Sequence, residues 1–220
     1  EVLQWLRAEG CPWYEGVCAI AAHENHRELL EWCWAEGCPW DGRTTFSAAG
    51  QGHMELLQWL RDKGCRCSAE TCYAAAGGGS LEILKWLRSE GYPWDWRVTS
   101  SAAQSGSIEV LEWARAQDPP APWNTQTFSS AAMGGQLEAL KWLKAAGCPC
   151  DEWVCKCAAR EGHLEIVQWC WAEKLPWAWM EICNEAMKGN HANVVIWITD
   201  LAKEVMPLDH EKRSKAASTR

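Results

Sequence analysis

Residues 75–87 read Ala-Ala-Gly-Gly-Gly-Ser-Leu-Glu-Ile-Leu-Lys-Trp-Leu, and much of this pattern returns in residues 162–169, Gly-His-Leu-Glu-Ile-Val-Gln-Trp. The tryptophan of the pattern recurs along the chain in steps of 27 to 29 residues, at Trp5, Trp32, Trp59, Trp86, Trp113, Trp142, Trp169 and Trp197. A fixed period of about 20–50 residues indicates supersecondary units stacked in a row. The sequence therefore predicts one repeat array over residues 1–206, with a truncated first unit.

A second tryptophan follows the first by eight residues in five of the units, at Trp13, Trp40, Trp94, Trp123 and Trp177. The same position holds Cys67 and Cys150 in two other units. Most of the 18 tryptophans are thus in register with the repeat. We assign them to packing between units and not to a catalytic or ligand site.

Each unit carries the signals of two short helices. Side chains that favour helix N-caps open the first helix, at Asp41, Ser68, Asp95, Asn124 and Asp151. An Ala-Ala pair and a glycine-containing turn follow, and the second helix then places a glutamate in its first turn and usually an Arg or Lys in its last. Glycines typical of left-handed C-caps end the second helix, at Gly10, Gly37, Gly64, Gly91 and Gly147. Two helices of about ten residues and two loops fill the period, which predicts an all-α fold.

The Ala-Ala pair, the Gly-His turn and the Leu-Glu-Val-Val-like helix resemble the ankyrin repeat. This resemblance implies a solenoid of about seven stacked helix pairs. The period is about six residues shorter than the usual ankyrin repeat of about 33. The missing residues fall in the Gly-Cys-Pro-Trp loop, where ankyrin repeats build their β-hairpin fingers, so we expect the fingers to be short or absent.

Composition and charge limit the class of protein. The chain has 220 residues with 48 % apolar and 23 % charged residues, which is ordinary globular usage. The net charge of −8 argues against nucleic acid or an anionic membrane as partner. No uncharged apolar run approaches the roughly 18 residues that a membrane span needs. Because the chain begins at Glu1 inside a helical pattern, we expect it to be a piece of a longer protein, and we expect residues 207–220 to form a disordered tail or linker.

The 13 cysteines raise the question of disulfides or a metal. An odd number without a secretion signal fits a reducing compartment, the cytoplasm or else the nucleus, where cysteine serves as a small apolar residue. A four-thiolate zinc site at Cys148, Cys150, Cys155 and Cys157 is disfavoured, because Cys155 and Cys157 lie about 200° apart around one helix. The histidines of the Gly-His turn, His26, His53 and His163, are expected to bind neighbouring backbone. The sequence therefore predicts no catalytic residue, cofactor or metal.

Positions whose chemistry changes from unit to unit mark the surface that stacking leaves unconstrained. Three such positions lie in each first helix, and they carry aromatic and arginine side chains, the types most often found at binding hot spots. The predicted partner-binding residues are Arg43, Phe46, Tyr73, Trp96, Arg97, Trp153 and Trp179. The alternative is that the tryptophans among them fill gaps between units.

The pattern as a whole predicts a monomeric, non-catalytic scaffold that binds another protein along its concave first-helix face. Two other functions stay open at this point. The array could be a targeting or substrate-recruiting appendage of a larger enzyme or ubiquitin-ligase adaptor. It could also be a thiol-rich metal-binding protein.

Overall fold

The computed structural model describes residues 2–14 and 16–205. Its helices are α1 (Val2–Ala8), α2 (Gly16–His23), α3 (Arg27–Ala35), α4 (Gly42–Gly50), α5 (Met54–Asp62), α6 (Ala69–Gly77), α7 (Leu81–Ser89), α8 (Trp96–Ser105), α9 (Ile108–Arg115), α10 (Thr125–Met133), α11 (Leu137–Ala145), α12 (Trp153–Arg160), α13 (Leu164–Ala172), α14 (Trp179–Lys188) and α15 (Ala192–Val205). They fall into an N-terminal body, residues 1–148, and a C-terminal body, residues 149–220. No strand occurs in the described part of the chain, so the predicted all-α class is confirmed.

In the N-terminal body, the first helices of successive units pack side by side in chain order, α2 on α4, α4 on α6, α6 on α8 and α8 on α10. Each also packs against the second helix of its own unit, as α4 does against α5. Small residues permit the close approach, because the Ala-Ala pairs of the first helices are almost fully buried, as at Ala48 and Ala49. The second helices supply the large core side chains, such as Leu57, Leu84 and Leu111, all of them without solvent exposure.

The C-terminal body repeats this arrangement with two pairs, α12 with α13 and α14 with α15, and its first helices α12 and α14 pack together. The N-cap of α12 is Glu152 and not the predicted Asp151. Asp151, one residue earlier, still accepts a hydrogen bond from the Trp153 backbone N–H at 3.0 Å. Val167 and Ile182 are fully buried in this body. The predicted ankyrin-like stacking of helix pairs is therefore found within each body, while the predicted tail at residues 207–220 lies outside the described residues.

The caps that the sequence predicts are present. Asp41, Ser68, Asp95 and Asn124 each accept a hydrogen bond from the backbone N–H two residues later, at 2.9 to 3.2 Å. The five predicted C-cap glycines all have φ between +72° and +86°, at Gly10, Gly37, Gly64, Gly91 and Gly147. The helix boundaries are thus fixed by local sequence, independently of the packing that buries the helices.

Tryptophans connect consecutive units. The tryptophan in the loop after one second helix packs edge-to-face on the tryptophan of the next second helix, with ring centres 5.5 to 6.4 Å apart. The pairs are Trp13 with Trp32, Trp40 with Trp59, Trp94 with Trp113, Trp123 with Trp142, and Trp177 with Trp197. Edge-to-face contact is a preferred geometry for aromatic pairs. The recurring tryptophans therefore serve as contacts between units.

Buried hydroxyl groups add polar contacts between units of the N-terminal body. Thr45 Oγ1 donates to the carbonyl oxygen of Arg66 at 3.0 Å, and Thr99 Oγ1 donates to that of Pro122 at 2.8 Å. In both cases the carbonyl belongs to the loop that leads into the following unit. These bonds satisfy loop carbonyls that would otherwise be poorly hydrated.

Lys174 replaces a cap glycine in the C-terminal body and has φ of +55°. A left-handed conformation costs a residue with a Cβ about 1–2 kcal/mol. We therefore expect Lys174→Gly to raise the free energy of unfolding by about 1 kcal/mol in urea titrations. Lys63→Gly is the matched control, because Lys63 has φ of −83° and its replacement should lower stability. A Lys174→Gly variant no more stable than the parent would contradict this reading of the loop.

Candidate functional site

Three of the predicted partner-binding residues meet on neighbouring first helices of the N-terminal body. The rings of Phe46 on α4 and Tyr73 on α6 pack edge-to-face with centres 5.6 Å apart. The guanidinium carbon of Arg97 on α8 lies 5.0 Å from the centre of the Tyr73 ring. Phe46 is 38 % exposed, so the row keeps an accessible aromatic face. The first helices thus form a continuous aromatic and cationic row across three units.

A groove of about 350 Å³ runs beside this row. We call it the first-helix groove, and its lining is Phe46, Gly50, Tyr73, Ala74, Gly77, Gly78, Ser101, Gln104 and Ser105. Three glycines and an alanine in the lining leave little side-chain bulk, so another chain can approach the helix backbones there. The lining also includes two aromatic rings and the uncharged hydroxyl and amide groups of Ser101, Gln104 and Ser105, which can hydrogen-bond a ligand. Such a lining suits an apolar side chain attached to a polar backbone.

Local ion pairs hold the arginines of this face in place. Arg97 donates to the Asp95 carboxylate from Nη2 at 2.8 Å and from Nε at 3.0 Å, and Arg43 Nε donates to Asp41 at 2.9 Å. Each aspartate also caps its helix, so one carboxylate serves both the backbone and the guanidinium. Hydrogen bonds from Arg97 hold the pKa of the Asp95 carboxyl below its usual range. Much of the positive charge of this face is therefore neutralised within the chain.

Of the predicted partner-binding residues, Phe46 and Tyr73 belong to the groove lining and the others do not. Trp96 begins α8 and is 40 % exposed. In the C-terminal body, Trp153 is 55 % exposed and lies over Lys156, whose Nζ is 4.9 Å from the ring centre. Lys156 is buried and donates to Glu152 at 2.8 Å and to Glu181 on α14. These two hydrogen bonds raise the pKa of the Lys156 ammonium to about 12, so it remains charged and links α12 to α14.

Trp179 occupies a different setting from the other predicted residues. It packs against Trp171 and Trp177, with ring centres 5.1 and 5.5 Å away. Trp171 belongs to the second helix α13, so Trp179 is half-buried in an aromatic cluster that reaches the second-helix side. This placement favours the packing alternative for Trp179.

The repeated histidines were expected to bind backbone, and one of them shows the contact. His53 Nε2 lies 3.0 Å from the carbonyl oxygen of His23 in the preceding unit. In the tautomer with a proton on Nε2, the ring donates this hydrogen bond. His53 therefore helps to hold two units together.

Sequence reasoning missed one cluster. The sulfur atoms of Cys18, Cys33 and Cys38 lie within 4.8 Å of one another, and all three residues are buried. The thiols belong to α2, to α3 and to the loop after α3. Cys33 follows Cys18 by 15 residues and Cys38 follows Cys33 by 5, and this spacing is not a motif that predicts a thiol cluster. The cysteines whose spacing raised the question of a metal site were a different set, Cys148, Cys150, Cys155 and Cys157.

Other buried thiols make structural hydrogen bonds. Cys65 Sγ donates to the Asp41 carbonyl at 3.3 Å, and Cys148 Sγ donates to the Asn124 carbonyl at 3.6 Å. Burial raises the pKa of Cys65 and that of Cys72 to about 12 each. The Cys65 and Cys72 thiols therefore remain protonated at neutral pH and act as small apolar side chains with a weak donor.

Stability is expected to fall as the pH rises from 8 to 10. The thiol of a cysteine in an unfolded chain has a pKa of about 8.5. Burial raises the pKa of Cys72 to about 12, so the folded protein keeps the thiol proton at pH values where the unfolded chain loses it. The stability that this protonated thiol contributes is therefore fully present below pH about 8.5 and is lost as the pH rises toward 12. We expect Cys72→Thr to reduce the loss between pH 8 and 10 by about 1–2 kcal/mol in urea titrations. Thr45 and Thr99 hold the same repeat position, so threonine fits there. Equal losses in the parent and the variant would contradict the assignment.

Among the described residues, no helix has the length and apolar character to cross a membrane. No protein-family model matches the chain. No curated protein matches it either.

Among solved structures, the chain is similar to the human ASB11 ankyrin repeat domain, with 17 % identity over 69 % of this chain and 80 % of that chain and a TM-score of 0.49. It is also similar to the pentatricopeptide repeat protein PPR10 in complex with an 18-nt psaJ RNA element, with 15 % identity and a TM-score of 0.48. That match covers 93 % of this chain but 36 % of the PPR10 chain, so the present chain spans about a third of its length.

Proposed function

We propose that this chain is a non-catalytic scaffold that binds another protein along the first helices of its N-terminal body. The observation that carries the proposal is the first-helix groove, whose lining includes the contacting rings of Phe46 and Tyr73, with the Arg97 guanidinium over Tyr73. Repeat arrays bind through such surfaces because each unit contributes one set of side chains to a continuous face.

The chemistry of the groove favours a segment with an apolar anchor side chain. Phe46 and Tyr73 offer aromatic rings in a lining that also holds glycine and alanine, so an aromatic or aliphatic side chain can be buried there. Ser101, Gln104 and Ser105 of α8 line the same groove and can bind the backbone of the same segment. Aromatic residues in such positions commonly supply most of the affinity of an interface.

Protein is favoured over nucleic acid by charge. The chain carries −8 overall, and the carboxylates of Asp41 and Asp95 engage Arg43 and Arg97 on this face. Nucleic-acid binding depends on positive groups that neutralise phosphates. A face whose arginines are already paired lacks that driving force.

The test is a pull-down in which the parent and variants are immobilised and bound proteins are quantified. The double variant Phe46→Ala, Tyr73→Ala should lose a specific partner at least about 30-fold, because hot-spot truncations cost about 2 kcal/mol or more. Trp34→Ala is the matched control, since Trp34 is an exposed aromatic, 46 % accessible, on second helix α3. The recovered partner should survive nuclease treatment.

Equal recovery by the parent and the double variant, with unchanged helicity, would refute this binding face. Loss of all bound material on nuclease treatment would instead indicate a nucleic-acid partner. A second double variant, Trp96→Ala with Trp153→Ala, tests whether recognition extends to the exposed tryptophans outside the groove. We further propose that the array acts as a monomer in a reducing compartment, where buried cysteines such as Cys18, Cys33 and Cys72 serve as small apolar side chains.

A further inference from the structure

Three buried thiols converge inside the helix pair α2/α3. Cys18 and Cys33 have no solvent exposure and Cys38 has 5 %. The Cys18 and Cys38 sulfurs are 3.4 Å apart, and all three sulfurs lie within 4.8 Å of one another. Three sulfurs bound to one atom at about 2.3 Å would be roughly 3.3–4 Å apart. The distance between the Cys18 and Cys38 sulfurs is already that of a three-thiolate coordination site, and the upper limit of 4.8 Å for the other two distances exceeds it by less than about 2 Å.

Stacking does not require cysteine at these three positions. The position of Cys33 holds leucine in four other units, at Leu6, Leu60, Leu87 and Leu143. The position of Cys18 holds Thr45 and Thr99, and that of Cys38 holds Tyr92 and Ala121. Among the described units, only this one has cysteine at all three positions. The combination is thus a feature of this unit and not of the repeat.

The surroundings restrict the ligand to one that needs three sulfurs and no countercharge. Among the described residues, no other group of three or more His, Cys, Asp or Glu ligands is this close together, and this group offers no fourth member. Structural zinc sites use four ligands. The side chains that act electrostatically on Cys18 and Cys33 are thiols, not charged residues. A buried net charge would be costly here, so a trivalent ion with three thiolates is favoured because the complex is neutral.

We propose that Cys18, Cys33 and Cys38 form a binding site for a thiophilic trivalent ion, with trivalent arsenic as the representative. Arsenous acid exchanges its three hydroxyl groups for three sulfurs, so three As–O bonds and three S–H bonds break while three As–S bonds form. The three thiol protons leave with the hydroxyl groups as three water molecules. No oxidation state changes, and no further reactant is needed. The thiols are buried, so entry requires transient opening of the helix pair.

The experiment measures binding of arsenous acid to the full, reduced chain after removal of the reductant under anaerobic conditions. Native mass spectrometry gives the stoichiometry, and the thermal midpoint reports stabilisation. Cys33→Leu and Cys18→Thr each remove one sulfur and install the residue that other units use at that position. Cys72→Thr is the matched control, because it makes the same change as Cys18→Thr outside the triangle. Circular dichroism without arsenic establishes that each variant is folded.

We expect the parent and Cys72→Thr to bind one arsenic tightly and to melt at a higher temperature when it is present. Cys33→Leu and Cys18→Thr should each bind at least about tenfold more weakly and show no rise in the melting temperature. Binding in Cys33→Leu equal to that of the parent would overturn the proposal. So would the absence of binding in the parent, or a loss of binding in Cys72→Thr. None of these results depends on the first-helix groove, so the arsenic-binding proposal and the proposed function are tested independently.

Discussion

Replacing Gly78 with alanine is expected to destabilise the N-terminal body by about 3 kcal/mol, which is at the upper end of the cost of overpacking a core. Gly78 follows α6 and has φ of −78° and ψ of −1°, a conformation that alanine adopts without strain. A Cβ on Gly78, however, would fall well inside contact distance of the Gly50 carbonyl oxygen at the end of α4. Since that obstacle is backbone, no side-chain rotation can relieve it. The chain can accommodate the methyl group only by separating two first helices.

The matched control is Gly42→Ala. Gly42 is the first residue of α4, and a Cβ there would meet nothing within 4 Å. Alanine in a helix is more stable than glycine by about 0.4–1 kcal/mol, so this variant should be as stable as the parent or slightly more stable. Thermal unfolding followed by circular dichroism compares the two. Equal melting temperatures for Gly78→Ala and Gly42→Ala would show that the first helices are not packed as closely as described.

The helices and their caps could be predicted from sequence because the signals are local. Asp41 and Asp95 bind the backbone two residues away, and the C-cap glycines need only their own left-handed conformation. The adjacency of Phe46 and Tyr73 was also accessible, because they hold the same position in consecutive units. Periodicity converts such positions into neighbours.

What the sequence did not predict depends on contacts between different repeat positions. Cys18, Cys33 and Cys38 occupy three positions, and their approach follows from how α2, α3 and the next loop fold together. Trp179 was grouped with exposed residues because its position varies in chemistry. Its neighbours Trp171 and the loop residue Trp177 draw it into a cluster. Trp177 is part of the repeat pattern, but the position of Trp171 holds Arg or Lys in most other units. Variation at a position therefore does not establish that the side chain faces solvent.

The second large effect is expected for the tryptophan pair Trp94 and Trp113. Trp94 lies in the loop before α8, and Trp113 lies on α9, with ring centres 5.6 Å apart in an edge-to-face arrangement. Both are half-buried. Full truncation of a buried tryptophan costs about 3–5 kcal/mol, so we expect Trp113→Ala to cost about 2–3 kcal/mol at this partial burial. Trp94→Ala should cost about 2 kcal/mol, in part because the Arg88 guanidinium over Trp94, 4.2 Å from the ring centre, loses its partner.

A double-mutant cycle separates the ring contact from these other losses. The free energy of unfolding is measured for the parent, Trp94→Ala, Trp113→Ala and the double variant, and the coupling is the departure from additivity. Trp34 and Trp113 provide the control cycle, because they belong to units separated along the array and their effects should add.

The coupling between Trp94 and Trp113 tests most directly whether tryptophans bind consecutive units to one another. An edge-to-face pair should give a coupling of about 1 kcal/mol, within the range of about 0.5–1.5 kcal/mol for aromatic pairs. A coupling indistinguishable from that of the control cycle would contradict the assignment of the recurring tryptophans to contacts between units.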